Sequence, residues 1–222
     1  MVETDDVSQN NNKKSEVNKE PMRPLMLSSG LIVFLIVCLL RVAIDNGIKM
    51  MTPVMLMESY DKLPAAIATR MSSVLIIFSA IGTFVAGFVQ RNITKNESKA
   101  QILLYAISLL PLVVVCFLGY IHYIWILMAL SVAIMLIHGA APFSQSFVAL
   151  HFKNYGRIGT VSGILNATAS VGNVLASYVF AKMAETMPWR GVTASWLITM
   201  VVCGILCVAV LPRWTRFTKN KN

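Results

Sequence analysis

Apolar residues in this chain come in long, nearly unbroken runs. A polar stretch over residues 1–24, rich in Asn, Lys, Glu and Asp, precedes six of them, at roughly 26–56, 65–90, 101–119, 123–150, 159–184 and 191–212. A helix rises 1.5 Å per residue, so about 20 residues cross about 30 Å of hydrocarbon. Each run reaches or approaches that length. Backbone polar groups inside lipid must pair within their own segment, which selects helices. A barrel would show short alternating strands, and these runs do not alternate. The pattern predicts an all-α polytopic membrane protein with six transmembrane helices over residues 25–215. Residues 1–24 hold too few large apolar groups to form a core and are expected to be a disordered cytoplasmic tail or linker. Residues 216–222 form a short basic tail. The connections are short, which predicts that sequential helices are antiparallel neighbours.

Composition agrees. Hydrophobic residues make up 56% of the 222 and charged residues 13%, about half the usual share of a soluble domain. The net charge of +9 could signal nucleic-acid binding, but the basic residues are scattered between apolar runs and form no stripe. Their distribution reads instead as orientation. Thirteen of the nineteen fall in the N-terminal tail, the second and fourth connections and the C-terminal tail. Four, Lys62, Arg70, Lys182 and Arg190, fall on the other side. The positive-inside rule then puts both termini in the cytoplasm of a multi-pass protein of the plasma membrane. Cys38, Cys116, Cys203 and Cys207 all lie inside apolar runs without paired metal-site spacing, so they are expected to act as small hydrophobes. No metal and no cofactor is expected.

Two basic residues remain, and they are inside the first helix. Arg41, Asp45 and Lys49 stand at i, i+4 and i+8, close to one stripe of a 3.6-residue helix. A charge at mid-bilayer costs at least about 2.5–3.5 kcal/mol on insertion scales, so intramembrane charges avoid lipid and mark functional sites. Asp45 can pair with either neighbour, leaving one positive charge over. The alternatives are a self-satisfied ion pair and a cation-rich stripe lining a polar cavity. Asp45-Asn46-Gly47 reads as a turn-like weak point and Pro53 as a kink. Polar residues also mark the second helix (Arg70, Ser72, Ser73, Ser79), the fourth (His138, Ser144, Gln145, Ser146) and the fifth (Asn166, Thr168, Ser170, Asn173). The third and sixth are nearly devoid of them. Helices one, two, four and five are therefore expected to face inward, and three and six to face lipid. Gly159, Gly163 and Ala167, like Gly82 and Ala86, have the small-residue spacing that brings helices close.

The segments LLRVAIDNGIKMMTPVML, AIGTFVAGFVQRN and YGRIGTVSGILNATASVGNVLASYVFAKMAETMPWRGV together resemble the C-terminal half of a major facilitator superfamily transporter. The Asp-x-Gly and Thr-Pro of the first correspond to its seventh helix. Gly87 to Arg91 corresponds to the loop after its eighth, and the Gly-rich run with Pro188-Trp189-Arg190-Gly191 to its eleventh and twelfth. The resemblance covers residues 25–215. It implies a substrate cavity lined mainly by the first and fourth helices here, with the third and sixth peripheral. Arg41 adds a likeness to the organophosphate and sugar-phosphate antiporters. Such transporters have twelve helices, so this chain supplies one half. The expected partner is an N-terminal half, or a second copy in a homodimer.

The resulting expectation is alternating-access transport of a small organic solute, anionic in character, and no enzymatic activity. The expected site is Arg41, Asp45, Asn46, Lys49, His138, Gln145, Asn166 and Asn173. The alternatives are a non-transporting, truncated or structural half and, more remotely, an intramembrane enzyme. A serine protease of that type needs Gly-x-Ser-Gly, and Thr160-Val161-Ser162-Gly163 lacks the first glycine.

Overall fold

The computed structural model describes residues 22–60, 63–118 and 122–219. Six long helices dominate them: α1 (Leu31–Ser59), α2 (Ala65–Asn92), α3 (Glu97–Leu118), α4 (Tyr123–Gly139), α5 (Ile158–Thr186) and α6 (Trp189–Lys219). The fourth span runs past Gly139 through a π-helical turn, Phe143–Phe147, and a final turn, Val148–Leu150. All six are long and apolar enough to cross a membrane. Large apolar side chains stand outward on the bundle surface, with Phe84 79%, Phe117 75% and Tyr178 73% exposed. Water would reject such a surface, and lipid accepts it. The chain is an all-α, multi-pass integral membrane protein.

The first apolar run is divided. Gly30 adopts φ 74°, a left-handed conformation that glycine takes without strain, and separates a short helix, Met22–Ser29, from α1. That short helix takes in residues 22–24 of the stretch expected to be a disordered tail. Residues 1–21 and 220–222 lie outside the described residues. The Asp45-Asn46-Gly47 run does not break α1, which is one helix over Leu31–Ser59. Gly47 is there for a contact. A Cβ at that position would fall into the ring of Phe180 on α5, so the glycine seats an aromatic side chain between two helices.

The packing order differs from the one predicted by the short connections. The most extensive pairs are α2 with α4, α1 with α5 and α3 with α6, followed by α3 with α4 and α1 with α6. The sequential pairs α2–α3 and α5–α6 barely meet. A short connection fixes antiparallel direction. Backbone approach decides adjacency, and small residues permit it. Gly82 on α2 lies against the Met135 carbonyl of α4, and Gly139 on α4 would place a Cβ 2.8 Å from the Gly82 carbonyl oxygen. Gly172 on α5 plays the same part against Leu39 of α1, where a Cβ would sit 2.6 Å from the carbonyl oxygen. By contrast, nothing lies within 4 Å of a Cβ at Gly159 or Gly163. Those two, with Ala167, are exposed on α5, and the two glycines make no close contact with another helix among the described residues.

This pairing has an internal symmetry. Exchanging α1, α2, α3 for α4, α5, α6 maps α1–α5 onto α4–α2, maps α1–α6 onto α4–α3 and leaves α3–α6 unchanged. The contact of α1 with α2 finds its counterpart in the extension of α4, which packs on α5. A repeat of three spans crosses the membrane an odd number of times, so its two copies run in opposite senses. The result is a front row in the order α5, α1, α4, α2, with α3 and α6 paired behind it. Aromatic contacts pin α1 to α6, among them Phe34 against Trp214 with ring centroids 4.9 Å apart. At the other end the Trp189 indole donates to Glu58 at 2.9 Å.

Candidate functional site: a charged centre at mid-span

Asp45 and His138 each stand near the midpoint of their spans, α1 and the extended α4. The close crossing of the front row brings them together. The Asp45 carboxylate lies 2.9 Å from His138 Nδ1, and Lys49 Nζ lies 3.0 Å from both carboxylate oxygens. The acid sits deepest, with its side chain 8% exposed, against 20% for Lys49 and 32% for His138. A carboxylate accepts only, so Nδ1 carries the proton and donates it. That tautomer leaves the ring's lone pair on Nε2. The arrangement is a buried anion capped by an ammonium and an imidazole, both of which reach the surface.

Arg41 does not complete this cluster. Its guanidinium is 2% exposed and buried, forms no ion pair among the described residues, and leaves Nε without a hydrogen-bond partner. Of its two helical neighbours Asp45 therefore takes Lys49, and Arg41 remains an inward positive charge behind the site. The Arg41–Asp45–Lys49 stripe does not line one cavity as a unit.

A second polar contact extends the surface of the centre toward α5. The Asn46 side-chain amide donates to the Asn173 side-chain carbonyl, and the Ser177 hydroxyl lies 3.5 Å from Met50 Sδ. Asn166, Ser170 and Asn173 are exposed along the same stretch of α5. Gln145 stands apart in the π-helical turn, half-buried, with Nε2 4.0 Å from Cys38 Sγ. So Asp45, Lys49 and His138 form one cluster, Asn46 and Asn173 adjoin it, Asn166 lies further along an open face, and Arg41 and Gln145 are directed elsewhere.

The third and sixth helices, expected to carry little polar character, supply a buried polar backing. Ser98, Gln101, Tyr105 and Ser108 of α3 are all at most 1% exposed. Gln101 accepts from the Cys207 thiol of α6 at 3.5 Å. The signal was in the sequence: positions 98, 101, 105 and 108 recur at three- and four-residue spacing, one face of a helix. The outer faces of these helices remain apolar, with Leu110 and Ile205 among their exposed residues. The other two histidines serve the helix ends. His122 Nδ1 accepts from the Ile124 amide at 3.3 Å, and His151 bonds Glu97 at 2.8 Å.

Fold and site together define a polytopic α-helical membrane protein with an ionised centre at mid-span. No family pattern matches the chain, and a search of curated proteins returns no match.

Proposed function

We infer that the chain is one half of a secondary transporter of the major facilitator type and moves a small anionic organic solute by alternating access. The observation that carries this reading is the Asp45–Lys49–His138 centre, half-open at mid-span on the front row of the bundle. Secondary transporters bind solute near the bilayer midplane at a repeat interface, and intramembrane ionisable groups lie on solute and proton routes. The three-plus-three inverted pairing supports the same reading, because each half of such a transporter is built that way. Asp45 and Lys49 cancel as a pair, and Arg41, buried behind them, adds a positive field to the centre. It favours a carboxylate or phosphate ester over a cationic solute. Lys49 contacts the solute anion, Asp45 holds Lys49 and His138 in place, and His138 Nε2 takes up a coupling proton. Asn166 and Asn173 add hydrogen bonds.

A partner half covers the open face of α5. Gly159, Gly163 and Ala167 form an exposed small-residue surface there, and among the described residues nothing lies within 4 Å of a Cβ at either glycine. The basic-residue distribution supports a topology with both termini on the cytoplasmic side, and the membrane proposed is the plasma membrane.

Native membrane vesicles carrying the wild-type chain assembled with its partner half, incubated with a mixed pool of small organic acids and analysed by mass spectrometry, are expected to accumulate at least one acid that vesicles carrying the Lys49→Gln assembly do not. Indistinguishable accumulation profiles would contradict the proposal.

A further inference from the structure

A second polar centre lies at the bundle end where α1 starts and α6 finishes. Glu97, in the first turn of α3, is 5% exposed. Both of its oxygens are engaged, one with His151 Nε2 at 2.8 Å and the other with the Trp214 indole at 3.0 Å. Beside it Asn96 donates to the Thr215 hydroxyl at 3.2 Å. These bonds pin together the start of α3, the end of the fourth span and the end of α6. The pin borders a depression of about 580 Å³ whose rim carries Lys95, Lys99, Lys153 and Lys219. All four are exposed, and none takes part in an ion pair among the described residues. The one carboxylate lining the depression is Glu97, turned into its own bonds. Asn154 adds a side-chain amide to the rim, and Leu150 an apolar surface 55% exposed.

We propose that this depression binds a phosphate group, carried by an anionic lipid headgroup or by a soluble phosphate. Four ammonium groups drawn around one small polar hollow repel one another, and an anion seated among them removes that repulsion. Lysine binds phosphate as a point charge. Basic hollows between membrane helices at the cytoplasmic surface take anionic headgroups. Leu150 supplies the contact that a glycerol backbone or the first acyl carbons need. Because the hollow joins three spans, occupancy tightens the pinned end.

The test uses the full chain in nanodiscs of neutral phosphatidylcholine, with and without phosphatidylglycerol. Native mass spectrometry reads retained lipid, and a thermal scan reads stability. The wild type is expected to retain one phosphatidylglycerol and to unfold at a higher temperature with it. Each Lys→Gln change is expected to weaken retention about fivefold, and the combined change at positions 95, 99, 153 and 219 about 100-fold or more. If the combined variant does not fold in neutral discs, Lys99→Gln and Lys153→Gln singly carry the test. Lys182→Gln, at the opposite end, is expected to change nothing. A parallel arm adds inorganic phosphate and glycerol phosphate to neutral discs. Stabilisation of the wild type there, lost in the lysine variants, assigns the site to a soluble anion. Undiminished retention in the lysine variants, or no stabilisation of the wild type by either probe, would overturn the proposal.

Discussion

Asp45→Ala is expected to destabilise the folded bundle by about 3–5 kcal/mol, the cost of stranding one member of a buried ion pair. The carboxylate is the acceptor for Lys49 and His138 and, among the described residues, the carboxylate one helical turn from Arg41. Its loss leaves two intramembrane cations with no counter-charge. The Asp45→Ala/Lys49→Ala double variant is expected to be more stable than Asp45→Ala alone, because the alanine at 49 removes one stranded charge. Thermal unfolding in detergent, compared across wild type, both single variants and the double, gives the coupling directly. Additive losses would mean that Asp45 and Lys49 do not act as a pair. Asp45→Asn separates stability from charge: the amide keeps the shape and an acceptor for His138, so it is expected to fold better than alanine.

The second large effect lies at the α2–α4 crossing. Gly82→Ala is expected to be destabilising by about 1–3 kcal/mol or more, and Gly82→Leu to prevent the pair from docking. The added atoms meet the Met135 carbonyl and the Gly139 backbone. No side-chain rotation clears a backbone clash, so the two helices must separate. Since α4 carries His138, that separation also moves the imidazole from Asp45. Gly163→Ala is the matched control. It brings the same gain in helix propensity, up to about 1 kcal/mol, but its Cβ enters open space. The unfolding temperature is therefore expected to fall for Gly82→Ala and to hold or rise for Gly163→Ala. Equal responses at the two glycines would contradict the close crossing.

These two predictions draw on different levels of the molecule, and the sequence revealed them unequally. The six spans were legible because a run of apolar residues long enough to cross lipid needs no information about partners. The central place of α1 and the fourth span was legible from where polar residues fall, whereas α5, also expected to face inward, leaves Asn166, Ser170 and Asn173 exposed and is buried less than α3. Which helix lies beside which was not legible, because small residues recur on several faces and only some of them meet a neighbour. Gly82 finds Met135, while Gly159 and Gly163 find nothing. Gly47 read as a weak point because glycine destabilises an isolated helix, yet here it admits Phe180. The pairing of Asp45 with Lys49 rather than Arg41 was left open, since the i, i+4 spacing is the same in both directions. The third member, His138, stands 93 positions away, and no local pattern links it to α1. The buried stripe on α3 was legible but masked by the apolar content around it.

The central claim is that the front row, from the charged centre to the open face of α5, lines an aqueous cavity in the assembled protein. Cysteine labelling in native membranes tests it without knowledge of the solute. A membrane-impermeant maleimide reacts with a thiolate in water and not with a thiol held in lipid. Asn166→Cys and Asn173→Cys, read site by site by peptide mass spectrometry, are expected to label readily. Ile205→Cys, on the outer face of α6, is expected to stay unreactive. If positions 166 and 173 resist the reagent as completely as position 205, the polar face meets lipid or protein rather than water, and the cavity does not exist.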